Sequence, residues 1–235
     1  MAQLLLLLDT GDALVGDGPL GNDTLGEAIV AGMNLMGYDA MALGPKELSL
    51  DVSVLEQRME EARFPMLSAN VNWHATGEPV AQPYTILEID SHRIGIIGLT
   101  RPPETDLGAV DILDPGAALA RIVPEVEEKA DTVVLLTSLP YRSALELART
   151  VPGIDLLIAA LPVQLPDRAV RISETGTLAV TAEQPLPRHA GRRVGRLVAT
   201  LGSNGSLTNE IWTSVPMDRS YPDDPTMKAL LDKYR

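Results

Sequence analysis

Five successive leucines, Leu4–Leu8, stop at once on Asp9-Thr10-Gly11-Asp12. An apolar run of this length is far short of a membrane span. With no polar alternation it fits a strand covered on both faces, as in parallel sheets. Similar runs recur at Ala40–Leu43, Met66–Val71, Thr132–Thr137 and Ile154–Ala160, each separated by a segment of helical period. This alternation predicts an α/β fold.

The segments between the runs carry their own punctuation. Thr24 and Glu27 have the spacing of a capping box ahead of Leu25, Ala28, Ile29, Met33 and Met36, and Gly37 stops that helix. Asp51–Arg63 reads as a second helix with Val54, Leu55, Met59 and Ala62 inward, ended by Pro65. Tyr84–Ile89 and Arg93–Leu99 flank Asp90-Ser91 as a hairpin. Pro115–Ala130 reads as a helix that Pro124 kinks or restarts, and Tyr141–Arg149 as another. From Ala169 onward short strands dominate: Leu178–Ala182, Gly195–Leu201 and Glu210–Val215, before a terminal helix over Pro225–Tyr234. No tandem repeat and no linker interrupts the pattern. The expectation is one layered domain over residues 1–235, with sheets packed between helices.

Composition narrows the function classes. Lys and Arg total 19 against 32 Asp and Glu, a net charge of −13, which excludes a general nucleic-acid binder. Aromatic residues are 3%, so the core is aliphatic and platforms for stacking bases are scarce. There is no cysteine, which removes disulfides, thiolate metal sites and thiol nucleophiles. Any metal must use Asp, Glu, Asn or the three histidines His74, His92 and His189, none of which has ligand spacing to another. His92 is expected in a hairpin turn facing solvent. The leucine run lacks a preceding Lys or Arg and a cleavage site, so a cytoplasmic protein with no membrane association is expected.

Gly11-Asp12 to Gly16-Asp17-Gly18 lacks the Lys-Ser/Thr of a P-loop and the spacing of a dinucleotide fingerprint, and reads as a strand-to-helix loop. Arg188, Arg192, Arg193 and Arg196 lie in a stretch, 168–196, with six arginines against two acids. Arg188, Arg192 and Arg193 could take an anion or an acidic partner, or could balance the protein's own acids. Ser138 has no base beside it in the sequence.

The segment Leu7-Leu8-Asp9-Thr10-Gly11-Asp12-Ala13-Leu14-Val15-Gly16 resembles the calcineurin-like metallophosphoesterases, in their 5′-nucleotidase/2′,3′-cyclic phosphodiesterase branch. So do Phe64-Pro65-Met66-Leu67-Ser68-Ala69-Asn70-Val71 and Arg93-Ile94-Gly95-Ile96-Ile97-Gly98-Leu99-Thr100. The resemblance spans about residues 4–235. It implies a layered α/β/β/α sandwich of mixed sheets flanked by helices. It also implies two metal ions that clamp a phosphate and generate a hydroxide. The family's ligand motifs can be followed one at a time. Its first, Asp-x-His, lies some tens of residues before Gly11-Asp12, and the chain is expected to lack it. Asp12 matches the aspartate that bridges the metals. The Gly-Asn-His-Glu motif reads Gly44-Pro45-Lys46-Glu47. The later motifs, Ser-His-Leu-Gly and Gly-Gly-His-Ser-His, read Ser138-Leu139-Pro140 and Ala159-Ala160-Leu161-Pro162-Val163. The chain is also expected to lack the branch's C-terminal nucleotide-binding domain.

Two expectations follow. One is a catalytically inactive domain of this fold with a binding, regulatory or assembly role, a protein partner or second copy, and no cofactor. The other is a phosphoester hydrolase with an altered or externally completed site. It would use Asp12, Lys46, Glu47 and Ser138, with divalent Mn, Zn or Fe if the family's metals are kept. Relatives of this branch are often exported. Lys46 reads either as a solvated loop lysine or as an ammonium that takes the place of metal charge beside Asp12. Asp12 itself is expected as an unpaired remnant. On that reading Asp12→Asn changes stability by no more than about 1 kcal/mol, or raises it.

Overall fold

The computed structural model describes residues 5–16, 18–160, 169–181, 193–202 and 205–234. Strand β1 is Leu8–Asp9. It is followed by helices α1 (Pro19–Asp23) and α2 (Glu27–Met36), strand β2 (Ala40–Ala42), the one-turn helix α3 (Pro45–Leu48) and α4 (Val52–Glu61). Strands β3 (Met66–Leu67), β4 (Val71–Trp73), β5 (Tyr84–Ile89), β6 (His92–Leu99) and β7 (Val110–Ile112) lead to α5 (Pro115–Glu127). Then come β8 (Thr132–Pro140), α6 (Tyr141–Thr150), β9 (Leu156–Ala160), β10 (Val170–Arg171) and β11 (Leu178–Thr181). The chain closes with β12 (Arg193–Leu201), β13 (Leu207–Pro216), α7 (Pro225–Leu231) and a 3-10 turn, Asp232–Tyr234.

Two sheets face each other. The larger has the order β10-β11-β9-β8-β6-β5, parallel through β11, β9, β8 and β6 and antiparallel at its two edge strands. The smaller is the parallel set β1-β2-β3, and β12 and β13 form a separate antiparallel ribbon. Strand alternation assigns the layers. Ile97 and Leu99 of β6 join Val133, Leu135 and Leu157 beneath α5 and α6, which supply Leu119, Ile122, Val126 and Ala144. On the other face Ile94, Ile96, Val134 and Leu136 meet Ala40, Ala42 and Leu67 of the small sheet and Trp212 of the ribbon. The outer face of the small sheet, Met41 and Leu43, packs on Val30 and Met33 of α2 and Leu55 of α4. The result is the expected α/β/β/α order of layers.

Gly98 sets the distance between the sheets. A Cβ there would lie 2.4 Å from the Leu67 carbonyl oxygen, inside the small sheet's backbone. Gly98→Ala is therefore expected to lower stability by about 2 kcal/mol, through a shift that neither backbone can absorb. Urea unfolding checks this, and an unchanged midpoint would show that the sheets slide freely.

Four details differ from the sequence reading. The leucine run is not buried on both faces. Among the described residues β1 pairs only with β2 and so forms a sheet edge, and Leu5, ahead of the strand, is 83% exposed. Thr24 and Glu27 form no capping box: α2 starts from Gly26 in the left-handed region, and Thr24 Oγ1 donates to the Leu20 carbonyl of the unforeseen helix α1. Met66–Val71 is not one strand, because β3 joins the small sheet while β4 pairs with β7. Finally, α5 does not restart at Pro124 but runs on to Glu127. Among the described residues no helix is long and apolar enough to cross a membrane.

Candidate functional site

The carboxyl-terminal ends of β1, β2, β6 and β8 converge, the place where parallel sheets present their loops to ligands. From the small sheet come Asp12, just past β1, and Gly44-Pro45-Lys46-Glu47, just past β2. From the large sheet come Thr100-Arg101, past β6, and Ser138, near the end of β8. The Thr100 hydroxyl joins the two sheets by donating to the Leu43 carbonyl at 2.8 Å.

Asp12 sits in a left-handed conformation, φ 63°, which Asp tolerates better than most residues but which needs support from its surroundings. Glu47 gives that support from within the protein. Its side chain is wholly out of solvent. Oε2 accepts the amide N–H groups of Asp12 (2.8 Å) and Gly44 (2.9 Å), and Oε1 accepts that of Leu14 (2.9 Å). One carboxyl thus ties the β1 loop to the β2 loop. Gly44 lets the two loops approach, since a Cβ there would fall 2.4 Å from Asp12 Oδ1.

Both oxygens of Asp12 are taken by protein donors. Oδ1 accepts the backbone N–H of Lys46 at 2.8 Å, and Oδ2 accepts from Arg101 Nη2 at 3.0 Å. The Asp12 side chain is 8% exposed and that of Arg101 25%, so the pair is largely desolvated. Arg101 is itself fixed at its backbone, where its N–H donates to the buried hydroxyl of Ser138 at 2.9 Å. One residue earlier Thr100 is clamped by Asn70, whose Oδ1 accepts the Thr100 N–H and whose Nδ2 donates to the Thr100 carbonyl, both at 2.9 Å.

The expectation of an unpaired Asp12 is corrected by this geometry. A side-chain cation from 89 residues away in sequence reaches Asp12. Arg101 was missed because nothing local marks it. The one available signal is a charged residue directly after an apolar strand, and that becomes informative only once β6 is known to end beside β1. Lys46 contributes its amide to Asp12, while its side chain runs alongside Gly16. Arg188 and Arg192 lie outside the described residues, as do His189 and Leu161-Pro162-Val163 of the last motif. Arg193 is in the ribbon, where it donates to the Ser214 hydroxyl and carbonyl. His92 is half-buried rather than solvent-facing, with Nε2 3.2 Å from the Gly202 carbonyl. His74 pairs with Asp111.

Burial pushes the Glu47 carboxyl up to about 7, with the charge of Asp12 adding to the rise and the three N–H donors opposing it. Burial likewise raises Asp9 to about 6 against the N–H of Gly11. The folded protein therefore keeps protons that the unfolded chain has already released, and stability should fall as pH climbs from about 4 to about 7. Urea midpoints at about pH 5 and about pH 8 test this, the second being expected lower. Glu47→Gln should flatten the difference, and a midpoint that rises with pH would show Glu47 ionised in the fold.

No protein-family model matches the chain. The 5′-nucleotidase of Vibrio cholerae is 34% identical over 166 residues, covering 67% of this chain and 30% of that protein. Protein UshA of Escherichia coli is 31% identical over the same length. A crystal structure of a 5′-nucleotidase precursor from Thermus thermophilus superposes on all of this chain and on 50% of its own, with a TM-score of 0.85 and 28% identity. The chain belongs to the calcineurin-like metallophosphoesterase superfamily, in its 5′-nucleotidase branch. The calcineurin-like phosphoesterase YfkN of Bacillus subtilis shares its fold, with a TM-score of 0.80 at 22% identity. The chain spans about 30% of the length of the curated 5′-nucleotidases it matches.

Metal-dependent chemistry in this superfamily needs several open ligands around a bridging carboxylate. The residues described here do not fit such a pair of ions. Asp12 is committed to Arg101 and Lys46, Glu47 to three amides, and Asp9 to the N–H of Gly11. Among the described residues no group of three Asp, Glu or His side chains is placed to hold a metal ion.

Proposed function

We propose that the chain is a phosphoesterase-fold domain without two-metal turnover, acting in binding, regulation or assembly as one domain over residues 1–235. The observation that carries this reading is the Asp12–Arg101 pair. A guanidinium supplies fixed positive charge where the superfamily would place ions, but it cannot lower the pKa of a bound water or open a coordination position for substrate. The substitutions at Pro45 and Lys46 agree with it, since proline offers no ligand atom and lysine offers only a cation. On this reading no cofactor is required. The partner is another protein or a second copy, with the net charge of −13 arguing against nucleic acid and no long apolar helix among the described residues to favour a membrane, and the location is cytoplasmic.

A second reading is supported by a different observation. Arg101 and the Lys46 amide meet at Asp12, the Lys46 side chain lies on the neighbouring Gly16, Ser138 holds the Arg101 backbone, and the relatives include 5′-nucleotidases. A phosphoester hydrolase whose site is altered, or completed by residues beyond 1–235, would use these cations against phosphoryl charge. It would need divalent Mn, Zn or Fe only if such residues supplied ligands. Elemental analysis for Mn, Zn and Fe, followed by assay of a generic phosphodiester and of 5′-nucleotides with added Mn²⁺, separates the two. The first reading expects sub-stoichiometric metal and no turnover above buffer. Stoichiometric metal with turnover lost in Asp12→Asn would overturn it in favour of the second.

A further inference from the structure

On the opposite side of the small sheet, α2 and α7 lie side by side. They approach closely at Gly32, where a Cβ would stand 3.8 Å from Met227 Sδ. Residues of both helices line a cleft of about 390 Å³. That volume is toward the small end of the range for pockets that hold discrete ligands, about 300–1,000 Å³. Ala31, Leu35, Ala229 and Leu230 give it an aliphatic floor, with Asn34 and Thr226 also in the lining, and Leu35 stays 44% exposed. Arg63 and Lys233 line the same cleft. Neither side chain forms an ion pair among the described residues, although acids outnumber bases by 32 to 19 in the chain.

An aliphatic floor combined with two uncompensated cations selects one chemistry. The ligand needs an apolar tail to cover the alanine and leucine surface. It also needs a compact anionic head, for which a carboxylate matches the fork of Arg63 and the ammonium of Lys233. A neutral lipid would leave the cations unmatched. A small inorganic anion would leave the floor wet. A bilayer is disfavoured by the acidic surface and by the absence of a long apolar helix among the described residues. We propose that the α2–α7 cleft binds a free aliphatic carboxylate, with its tail on Ala31, Leu35, Ala229 and Leu230 and its head on Arg63 and Lys233. This site is separate from the Asp12 cluster and does not depend on whether that cluster turns over.

Calorimetric titration of the chain with octanoate tests the proposal, with octanol, octylamine and butyrate as comparisons. Octanoate is expected to bind at one site per chain, at least about tenfold more tightly than the other three, and more weakly as salt is raised. The double variant Arg63→Glu/Lys233→Glu should lose that binding by at least about tenfold while keeping the wild-type melting temperature, because both side chains are solvent-facing. Ala229→Trp, which fills the floor, should abolish it with the charges intact. Octanol binding as tightly as octanoate, or butyrate doing so, would overturn the proposal, as would a double variant with unchanged affinity. Binding to anionic vesicles in preference to free octanoate would assign the cleft to a membrane instead. Self-association that the double variant abolishes, without octanoate binding, would assign it to a second copy.

Discussion

Arg101→Met is expected to lower the unfolding free energy by about 3 kcal/mol. Breaking a buried ion pair by removing one partner strands the other charge in a poor solvent, and such losses run to about 3–5 kcal/mol. The partial exposure of the guanidinium, 25%, puts this pair at the low end. The methionine keeps most of the aliphatic stem, so the loss reports on charge and hydrogen bonding more than on packing. Asp12→Asn should cost less, about 1–2 kcal/mol, because an amide oxygen still accepts the Lys46 N–H. The double variant Asp12→Asn/Arg101→Met should cost less than the sum of the two, with a coupling of at least about 1 kcal/mol. Urea unfolding of the four proteins measures the cycle. Additive losses would mean that the two groups do not sense each other, and a stabilised Asp12→Asn would restore the idea of Asp12 as an unpaired remnant.

Glu47→Ala should be more severe, about 4 kcal/mol. It removes the acceptor of three backbone N–H groups, two of them in buried hydrogen bonds, and each donor left without a partner costs about 1–3 kcal/mol. It also releases the loop in which Asp12 holds a positive φ, so the strain there is no longer opposed. Since a domain of this kind is stable by about 5–15 kcal/mol in total, the variant stands near the threshold of folding. Glu47→Gln is the informative companion. Its oxygen can satisfy one side of the clamp while its NH₂ faces a donor on the other, so roughly half the loss is expected. Hydrogen exchange at the amide of Leu14 reads the clamp directly: exchange should accelerate in both variants. Unaltered exchange in Glu47→Ala would show that the loop is held by its own backbone, and the Glu47 carboxyl would then have no structural role.

Much of the fold was legible in the residues. The runs at Thr132–Thr137 and Ile154–Ala160 appear as the central strands β8 and β9, extended or trimmed by a few residues at their ends. Asp90-Ser91 joins β5 to β6 with Asp90 at a φ of 53°, as a tight hairpin requires. Gly37 caps α2 in the left-handed region. These features are local, set by side-chain periodicity and by the few residues able to take a positive φ. The leucine run was misjudged because burial on both faces depends on what lies beside a strand, which its own composition does not report. The same limit hid Arg101. Asp12 and the Gly44-Pro45-Lys46-Glu47 turn were found from their motifs. Glu47 stands among the catalytic candidates of the sequence because an exposed and a buried carboxyl are written with the same letter.

What the sequence determined by itself was the order of strands and helices, the aliphatic core, the layered class and the superfamily, all of which rest on short-range patterns. Only the tertiary structure decided that Asp12 is neutralised by a guanidinium 89 residues away. It alone also decided that Glu47 works inward on three amides, and that Arg63 and Lys233 flank one apolar cleft. Parallel strands bring their ends together without regard to distance along the chain. The charges gathered there compensate one another through space, and no local spacing encodes that.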